Sequence, residues 1–122
     1  MIIFAIFGFI LSQFAYMKTI ELPLLKKYTS NNFFLLAGPC VVEDKETTRQ
    51  IAETVAALAD KYSIPYVFKA SYRKANRSRV DSFTGIGDEA GLEILQGIKE
   101  DFKLPILTDI HNPSEAALAA SY

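Results

Sequence analysis

The chain has 122 residues, with 13 Lys and Arg against 14 Asp and Glu, so its formal net charge is −1, and half of its residues are apolar. This length suits one ordinary domain and is too short for a closed eight-stranded (β/α) barrel, which needs about 200 residues or more. The near-zero charge argues against a general nucleic-acid binder. The single cysteine excludes an internal disulfide.

The first 16 residues contain no charged side chain. They are fewer than the roughly 20 apolar residues of a transmembrane helix, and they lack the basic start and clear cleavage site of a secretory signal. We therefore expect Met17 to be the native start and residues 1–16 to be an apolar extension outside the native protein. A membrane or signal segment is one alternative, and a structured part of the native protein is the other. Residues 17–32 would form a lead-in to a domain over residues 33–122.

Three short apolar runs predict buried strands near residues 33–37, 66–69 and 106–109. Apolar residues at helical spacing follow the first two strands, with Ile51, Val55, Leu58 and Tyr62 on one predicted face and Gly91, Leu95, Ile98 and Phe102 on another. Asp44 and Asp88 are the predicted caps of these helices. Asn112, Pro113 and Glu115 resemble a capping box that opens a third helix.

The order of elements is therefore β-α-β-α-β-α, which predicts an α/β fold of parallel strands covered by helices. Right-handed crossovers place the carboxyl ends of all three strands on one side of the sheet. Because binding sites in such folds form at those ends, the segments to inspect are residues 37–43, 69–87 and 109–112.

The segment after the second strand carries the strongest functional signal. Five of the chain's 13 cations fall within eleven residues there, at Lys69, Arg73, Lys74, Arg77 and Arg79. The connection of about 18 residues is longer than the usual 2–6, and long connections are often functional. Clustered cations in a chain of net charge −1 favour a phosphorylated or carboxylated small molecule over a polynucleotide. A solvated basic loop is the alternative.

The other two strand ends carry single candidate residues. Cys40 follows the Gly38-Pro39 turn, where a thiolate could bind a metal or a substrate, although a buried cysteine that packs as a small apolar residue is commoner. Asp109 could orient substrate hydroxyl groups. His111 is the only histidine, and it could act as a base, as a ligand or in neither role.

Three blocks of sequence resemble those of the 3-deoxy-D-manno-octulosonate 8-phosphate synthases, in the same order and at about the same spacing. The blocks cover residues 37–40, 68–78 and 108–111, and the Lys-Ala-Asn-Arg-Ser run beginning at Lys74 is the most specific. The related 3-deoxy-arabino-heptulosonate 7-phosphate synthases share the Gly-Pro-Cys turn but normally have Lys-Pro-Arg-Thr-Ser in the second block. They are the second hypothesis, and a non-catalytic sugar-phosphate-binding half-barrel is the third.

The resemblance implies the N-terminal (βα)3 portion of a (β/α)8 TIM barrel. It also implies an enzyme that condenses phosphoenolpyruvate with D-arabinose 5-phosphate in lipopolysaccharide precursor synthesis and releases phosphate. The expected enzyme is a cytoplasmic homotetramer with a divalent metal ion and no organic cofactor, and with no nucleic-acid or stable membrane partner.

The resemblance also implies a role for individual residues of this chain. Lys69, Ser71 and Lys74 match positions near phosphoenolpyruvate; Asn76, Arg77 and Ser78 match the group that holds arabinose 5-phosphate; Asp109 matches a residue at the sugar hydroxyls and near the metal; and Cys40 matches the metal ligand of the metal-dependent class. Lys74 and Asp109 are the expected catalytic residues.

Further residues of the family's site have no counterpart in this chain. The family's additional metal ligands (a His, a Glu and an Asp) follow later in its sequence, as do another Lys and Arg for phosphoenolpyruvate. We therefore expect the 122-residue chain to be inactive and poorly folded when it is expressed alone.

Overall fold

The computed structural model describes residues 24–27, 33–75 and 83–122. The elements in these residues are β1 (Leu35–Ala37), α1 (Lys45–Lys61), β2 (Tyr66–Lys69), α2 (Asp88–Phe102), β3 (Ile106–Leu107) and α3 (Glu115–Ala120). No helix among them is both long enough and apolar enough to cross a membrane. The predicted extension over residues 1–16 and the predicted site residues Asn76, Arg77 and Ser78 lie outside the described residues.

The three strands form one parallel sheet in the order β1-β2-β3. Ala37 of β1 pairs with Phe68 of β2, and Phe68 pairs in turn with Ile106 of β3. The predicted alternation of parallel strands and helices is therefore confirmed for this part of the chain. All three strands end at the same edge of the sheet.

The two faces of the sheet differ in what covers them. Phe68 is fully buried, and Leu35 and Ile106 pack against the same apolar core, to which α1 and α2 contribute. Leu36 and Leu107 point to the other face, where they are 49% and 42% exposed. The prediction that β1 is fully buried is therefore wrong, because helices cover only one face of the strand in the described structure.

Helix α1 begins as predicted, with the Asp44 carboxylate accepting a hydrogen bond of 2.7 Å from the backbone N–H of Thr47. Its buried face agrees with the predicted one only in part, since Ile51 and Val55 pack against the core as partly buried side chains. Ala52 and Ala59 are buried, whereas Leu58 is half exposed and Tyr62 is exposed. The short alanine side chains approach the core most closely, and of the four predicted residues only the two at the C-terminal end of the helix point away from it.

Helix α2 buries Gly91, Leu95 and Ile98, as its apolar spacing predicts. Its N-cap is Gly87, and Asp88 is the first helical residue, so the prediction of Asp88 as the cap is wrong by one position. The helix has no side-chain cap at this end. An acidic residue in the first turn still interacts favourably with the helix dipole.

Helix α3 begins at Glu115 with Ser114 as its N-cap, which corrects the predicted cap at Asn112. Asn112 instead belongs to a turn, in which its carbonyl accepts a hydrogen bond of 3.0 Å from the N–H of Glu115. The Glu115 side chain folds back over this turn and accepts a hydrogen bond of 2.8 Å from the backbone N–H of His111. The reciprocal bond of a capping box is therefore displaced by one residue.

Candidate functional site

Four of the predicted site residues meet at the carboxyl ends of β2 and β3. The Lys69 ammonium lies 2.8 Å from Asp109 Oδ2 and donates a hydrogen bond of 3.2 Å to Ser71 Oγ. The Ser71 hydroxyl donates to Asp109 Oδ2 at 2.5 Å, and Lys74 Nζ donates to Ser71 Oγ at 2.9 Å. We refer to Lys69, Ser71, Lys74 and Asp109 as the strand-end cluster.

The alternation of side chains along a strand explains why these residues meet. Lys69 ends β2 and Ser71 follows two positions later, while Asp109 follows two positions after Leu107, the last residue of β3. All of them therefore point to the face of the sheet opposite the helices. Ser71 is fully buried, and its carbonyl accepts a hydrogen bond of 2.9 Å from the N–H of Val42.

The strand-end cluster combines two ammonium groups with one carboxylate. Hydrogen bonds from Lys69 and then Ser71 hold the pKa of Asp109 below its usual range, so this side chain is ionised at neutral pH. The Lys69 and Asp109 side chains remain 28% and 46% exposed, which leaves them accessible to a ligand. The excess positive charge suits an anionic group, and the carboxylate can accept hydrogen bonds from hydroxyl groups.

Both ends of the long connection after β2 are held close to the strand-end cluster. The N–H of Lys74 donates a hydrogen bond of 2.7 Å to the carbonyl of Thr84. Gly85 and Gly91 lie directly against Tyr72, since a Cβ at either would come within 2.8 Å and 3.0 Å of the Tyr72 carbonyl oxygen. The connection therefore leaves and rejoins the fold at one place.

Arg73 does not join the strand-end cluster, contrary to the prediction that it helps to form an anion site. Its guanidinium lies 3.2 Å from an Asp88 carboxylate oxygen and 2.5 Å from Glu115 Oε1. These two carboxylates neutralise the charge that the sequence pattern assigned to ligand binding. Two other cations of that pattern, Arg77 and Arg79, lie outside the described residues.

Glu115 was missed as a site residue. Its side chain is only 13% exposed. Hydrogen bonds from the Tyr72 hydroxyl and the His111 backbone N–H hold the pKa of Glu115 well below its ordinary value of 4.5. The capping-box spacing of Asn112 and Glu115 predicts only a helix cap, because a cap needs no partner outside its own turn.

His111 packs against Tyr72 and Glu115. Its ring meets that of Tyr72 edge to face, with centroids 6.0 Å apart, and its Nδ1 atom lies 3.5 Å from Glu115 Oε2. The backbone N–H of His111 also donates to Glu115. These contacts place His111 in the loop after β3, between the side chains of Tyr72 and Glu115.

Cys40 has an exposed, free thiol. Within the described ranges, no group of three or more His, Cys, Asp and Glu side chains is arranged to hold a metal ion. Protein sites for a divalent transition metal ordinarily use three or four such ligands. The described residues therefore do not form a complete metal site around Cys40.

Comparison with known sequences places this arrangement in a family. The model of the DAHP synthetase I family matches residues 26–122, which include the whole of the described sheet and the strand-end cluster. The chain belongs to the DAHP synthetase I family. Residues 1–25 precede the part that matches this family.

Curated relatives within the DAHP synthetase I family carry the name 2-dehydro-3-deoxyphosphooctonate aldolase. The protein from Desulfosudis oleivorans is 50% identical over 86 residues, which are 70% of this chain and 31% of the relative. The proteins from Shewanella piezotolerans and Rickettsia typhi are 46% and 41% identical over 103 and 98 residues, or 84% and 80% of this chain and 36% of each relative. The chain spans about a third of the length of these relatives.

Proposed function

We propose that this chain carries the first (βα)3 portion of a (β/α)8 barrel that condenses phosphoenolpyruvate with D-arabinose 5-phosphate to give 3-deoxy-D-manno-octulosonate 8-phosphate and phosphate. The observation that carries this proposal is the meeting of two lysines, a serine and an aspartate at the strand ends. Family membership and the names of the curated relatives support the same reaction. The whole enzyme is proposed to be a cytoplasmic homotetramer.

The strand-end cluster suits the demands of this reaction. Phosphoenolpyruvate carries a carboxylate and a phosphate, which the Lys69 and Lys74 ammonium groups can bind while Ser71 donates a hydrogen bond. Its C3 attacks the aldehyde carbon of the sugar, and water adds at C2. The resulting hemiketal phosphate loses phosphate by C–O cleavage. We assign Lys74 a position near the reacting carbons. We assign the ionised Asp109 the role of accepting hydrogen bonds from the sugar hydroxyls.

The arabinose 5-phosphate side of the site is assigned to Asn76, Arg77 and Ser78. Their residue types suit a sugar phosphate, because an Arg fork and a hydroxyl are directed donors to phosphate oxygens. Lys74 and Thr84, which lie on either side of these residues in the chain, are hydrogen-bonded to each other beside the strand-end cluster. This arrangement supports a second substrate next to phosphoenolpyruvate.

Phosphorus-31 NMR tests the proposed function, because it reports binding and turnover together. We expect the phosphoenolpyruvate and arabinose 5-phosphate signals to broaden or shift when the chain is added, and no inorganic phosphate to be released, since the chain alone is expected to be inactive. A stronger response to erythrose 4-phosphate would favour the heptulosonate reaction. Binding of arabinose 5-phosphate alone would favour the half-barrel binding protein, and no response from any ligand would contradict the proposal.

We further propose Cys40 as one ligand of a divalent metal ion. Its exposed thiol is a suitable donor once deprotonated. Because the described residues supply no complete ligand set, no step of the reaction is assigned to the ion. Cobalt(II) gives an absorption band when a thiolate binds it, and we expect this band with the chain and not with Cys40→Ser. An identical spectrum for the two proteins would contradict this assignment.

A further inference from the structure

Glu115 joins the loops that follow β2 and β3 through both of its carboxylate oxygens. Oε2 accepts hydrogen bonds from the Tyr72 hydroxyl and from the His111 backbone N–H, the latter at 2.8 Å. Oε1 accepts from the Arg73 guanidinium at 2.5 Å and from the Asn112 side-chain amide at 3.0 Å. Each oxygen therefore has one partner in the loop after β2 and one in the loop after β3.

The partners of Glu115 lie close in the sequence to the residues of the strand-end cluster. Tyr72 and Arg73 lie between Ser71 and Lys74, and His111 lies two positions after Asp109. The same two short segments therefore carry the cluster on one side and the Glu115 contacts on the other. Whatever fixes these segments relative to each other also fixes the hydrogen bonds of the cluster.

The Glu115 side chain is largely enclosed by its partners, with only 13% of it exposed. Tyr72 is 1% exposed, and its carbonyl oxygen packs against Gly91 of α2. Arg73 is held from its other side by Asp88, at the start of the same helix. A carboxylate that accepts four hydrogen bonds in such a place is held in one geometry, because each donor restricts its rotation.

A helix-capping role alone does not account for these contacts. A cap needs only the turn at residues 111–114, yet two of the four donors to Glu115 come from the loop after β2, more than 40 positions away in the chain. Helix α3 has only six residues, Glu115–Ala120, and none of them is buried. The Glu115 carboxylate thus makes long-range contacts that its own helix does not require.

We propose that Glu115 is a positioning residue that holds Ser71 and Lys74 in register with Asp109, and so preorganises the strand-end cluster for its anionic substrate. For the identity of that substrate, the inference rests on the proposed function. The inference that Glu115 positions the strand-end cluster does not depend on the identity of the substrate. Preorganised groups bind and react better because little ordering is needed when the substrate arrives.

The first test measures the pKa of Asp109 by carbon-13 NMR in the full chain and in Glu115→Gln. Removing a nearby negative charge would by itself lower this pKa, since less repulsion opposes the ionised form. Loosening the hydrogen bonds from Lys69 and Ser71 would raise it toward the ordinary value of 3.8. We expect it to rise. A fall, or no change, would overturn the proposal.

The control is Glu100→Gln, which removes an exposed carboxylate from α2 and is expected to leave the pKa of Asp109 unchanged. If Glu115→Gln does not fold, Tyr72→Phe serves in its place, because it removes one donor to Glu115 and retains the carboxylate. We expect a smaller rise in the pKa of Asp109 in this variant. An unchanged value in folded Tyr72→Phe would count against the proposal.

The second test measures the affinity for phosphoenolpyruvate in the same variants. We expect about a tenfold loss in Glu115→Gln, the lower end of the range seen when residues that orient metal ligands are substituted. If the wild-type chain binds phosphoenolpyruvate and Glu115→Gln binds it with the same affinity, the proposal is overturned. If the wild-type chain does not bind phosphoenolpyruvate, the proposed function fails, and the titration of Asp109 still decides whether Glu115 positions the cluster.

Discussion

Replacing Lys74 with alanine is expected to weaken phosphoenolpyruvate binding by about 100-fold without changing how well the chain folds. The Lys74 ammonium donates a hydrogen bond of 2.9 Å to Ser71 and is directed into the strand-end cluster. Hydrogen bonds that involve a charged group contribute about 1.5–3 kcal/mol, which corresponds to a factor of roughly 10 to 150 in affinity. Calorimetric titration of the two proteins with phosphoenolpyruvate measures this difference.

Lys61→Ala is the matched control for this experiment. Lys61 lies in the last turn of α1, is exposed, and has its ammonium over the ring of Tyr62. Its removal changes the net charge by the same amount as Lys74→Ala but leaves the strand-end cluster intact. Equal losses of affinity in the two variants would show that total charge, rather than the position of Lys74, governs binding.

Gly38→Ala is expected to destabilise the chain by about 1–3 kcal/mol, the usual cost of forcing extra atoms into a packed site. A Cβ at this position would lie 2.1 Å from the carbonyl oxygen of Lys69. Since that oxygen belongs to the backbone of the central strand, it cannot move aside as a flexible side chain would. Urea denaturation followed by circular dichroism measures the change in the free energy of unfolding.

The same substitution at Gly97 provides the contrast. Gly97 lies in α2, and a Cβ there would meet no atom within 4 Å. We expect Gly97→Ala to stabilise the chain by up to about 1 kcal/mol, because alanine is the better helix former. If Gly38→Ala and Gly97→Ala both had the free energy of unfolding of the wild type, this result would contradict the close approach of Gly38 to Lys69.

The strand ends could be predicted from the sequence because local signals determine them. A buried run such as residues 66–68 followed at once by Lys69 places a charge at the end of a strand, and side-chain alternation then puts Ser71 on the same face. The register that brings Asp109 to Lys69 follows from three parallel strands in sequence order. These rules bring the segments after the strands to one side of the sheet, and the family resemblance selects the individual residues of the strand-end cluster within them.

The errors fall where partners are distant in sequence. Arg73 looked like another cation for an anionic ligand, because nothing near it in the chain shows that Asp88 and Glu115 will meet it. The face predicted for α1 is right at Ile51 and Val55 and wrong at Leu58 and Tyr62, because apolar spacing records hydrophobicity but not where the helix diverges from the core. Both outcomes depend on tertiary packing, which overrides local pattern.

The hydrogen bond between Lys74 and Thr84 makes the connection between them tolerant of changes in length and sequence. Since the Lys74 backbone nitrogen and the Thr84 carbonyl oxygen are 2.7 Å apart, the connection between them starts and ends at the same place in the fold. Lengthening or rewriting that interval costs little in stability, as each doubling of a loop adds only about 0.6 kcal/mol. Under the proposed function, preference for one aldose phosphate over another can therefore diverge there by substitution, insertion or deletion, while the strand-end lysines and aspartate stay in place.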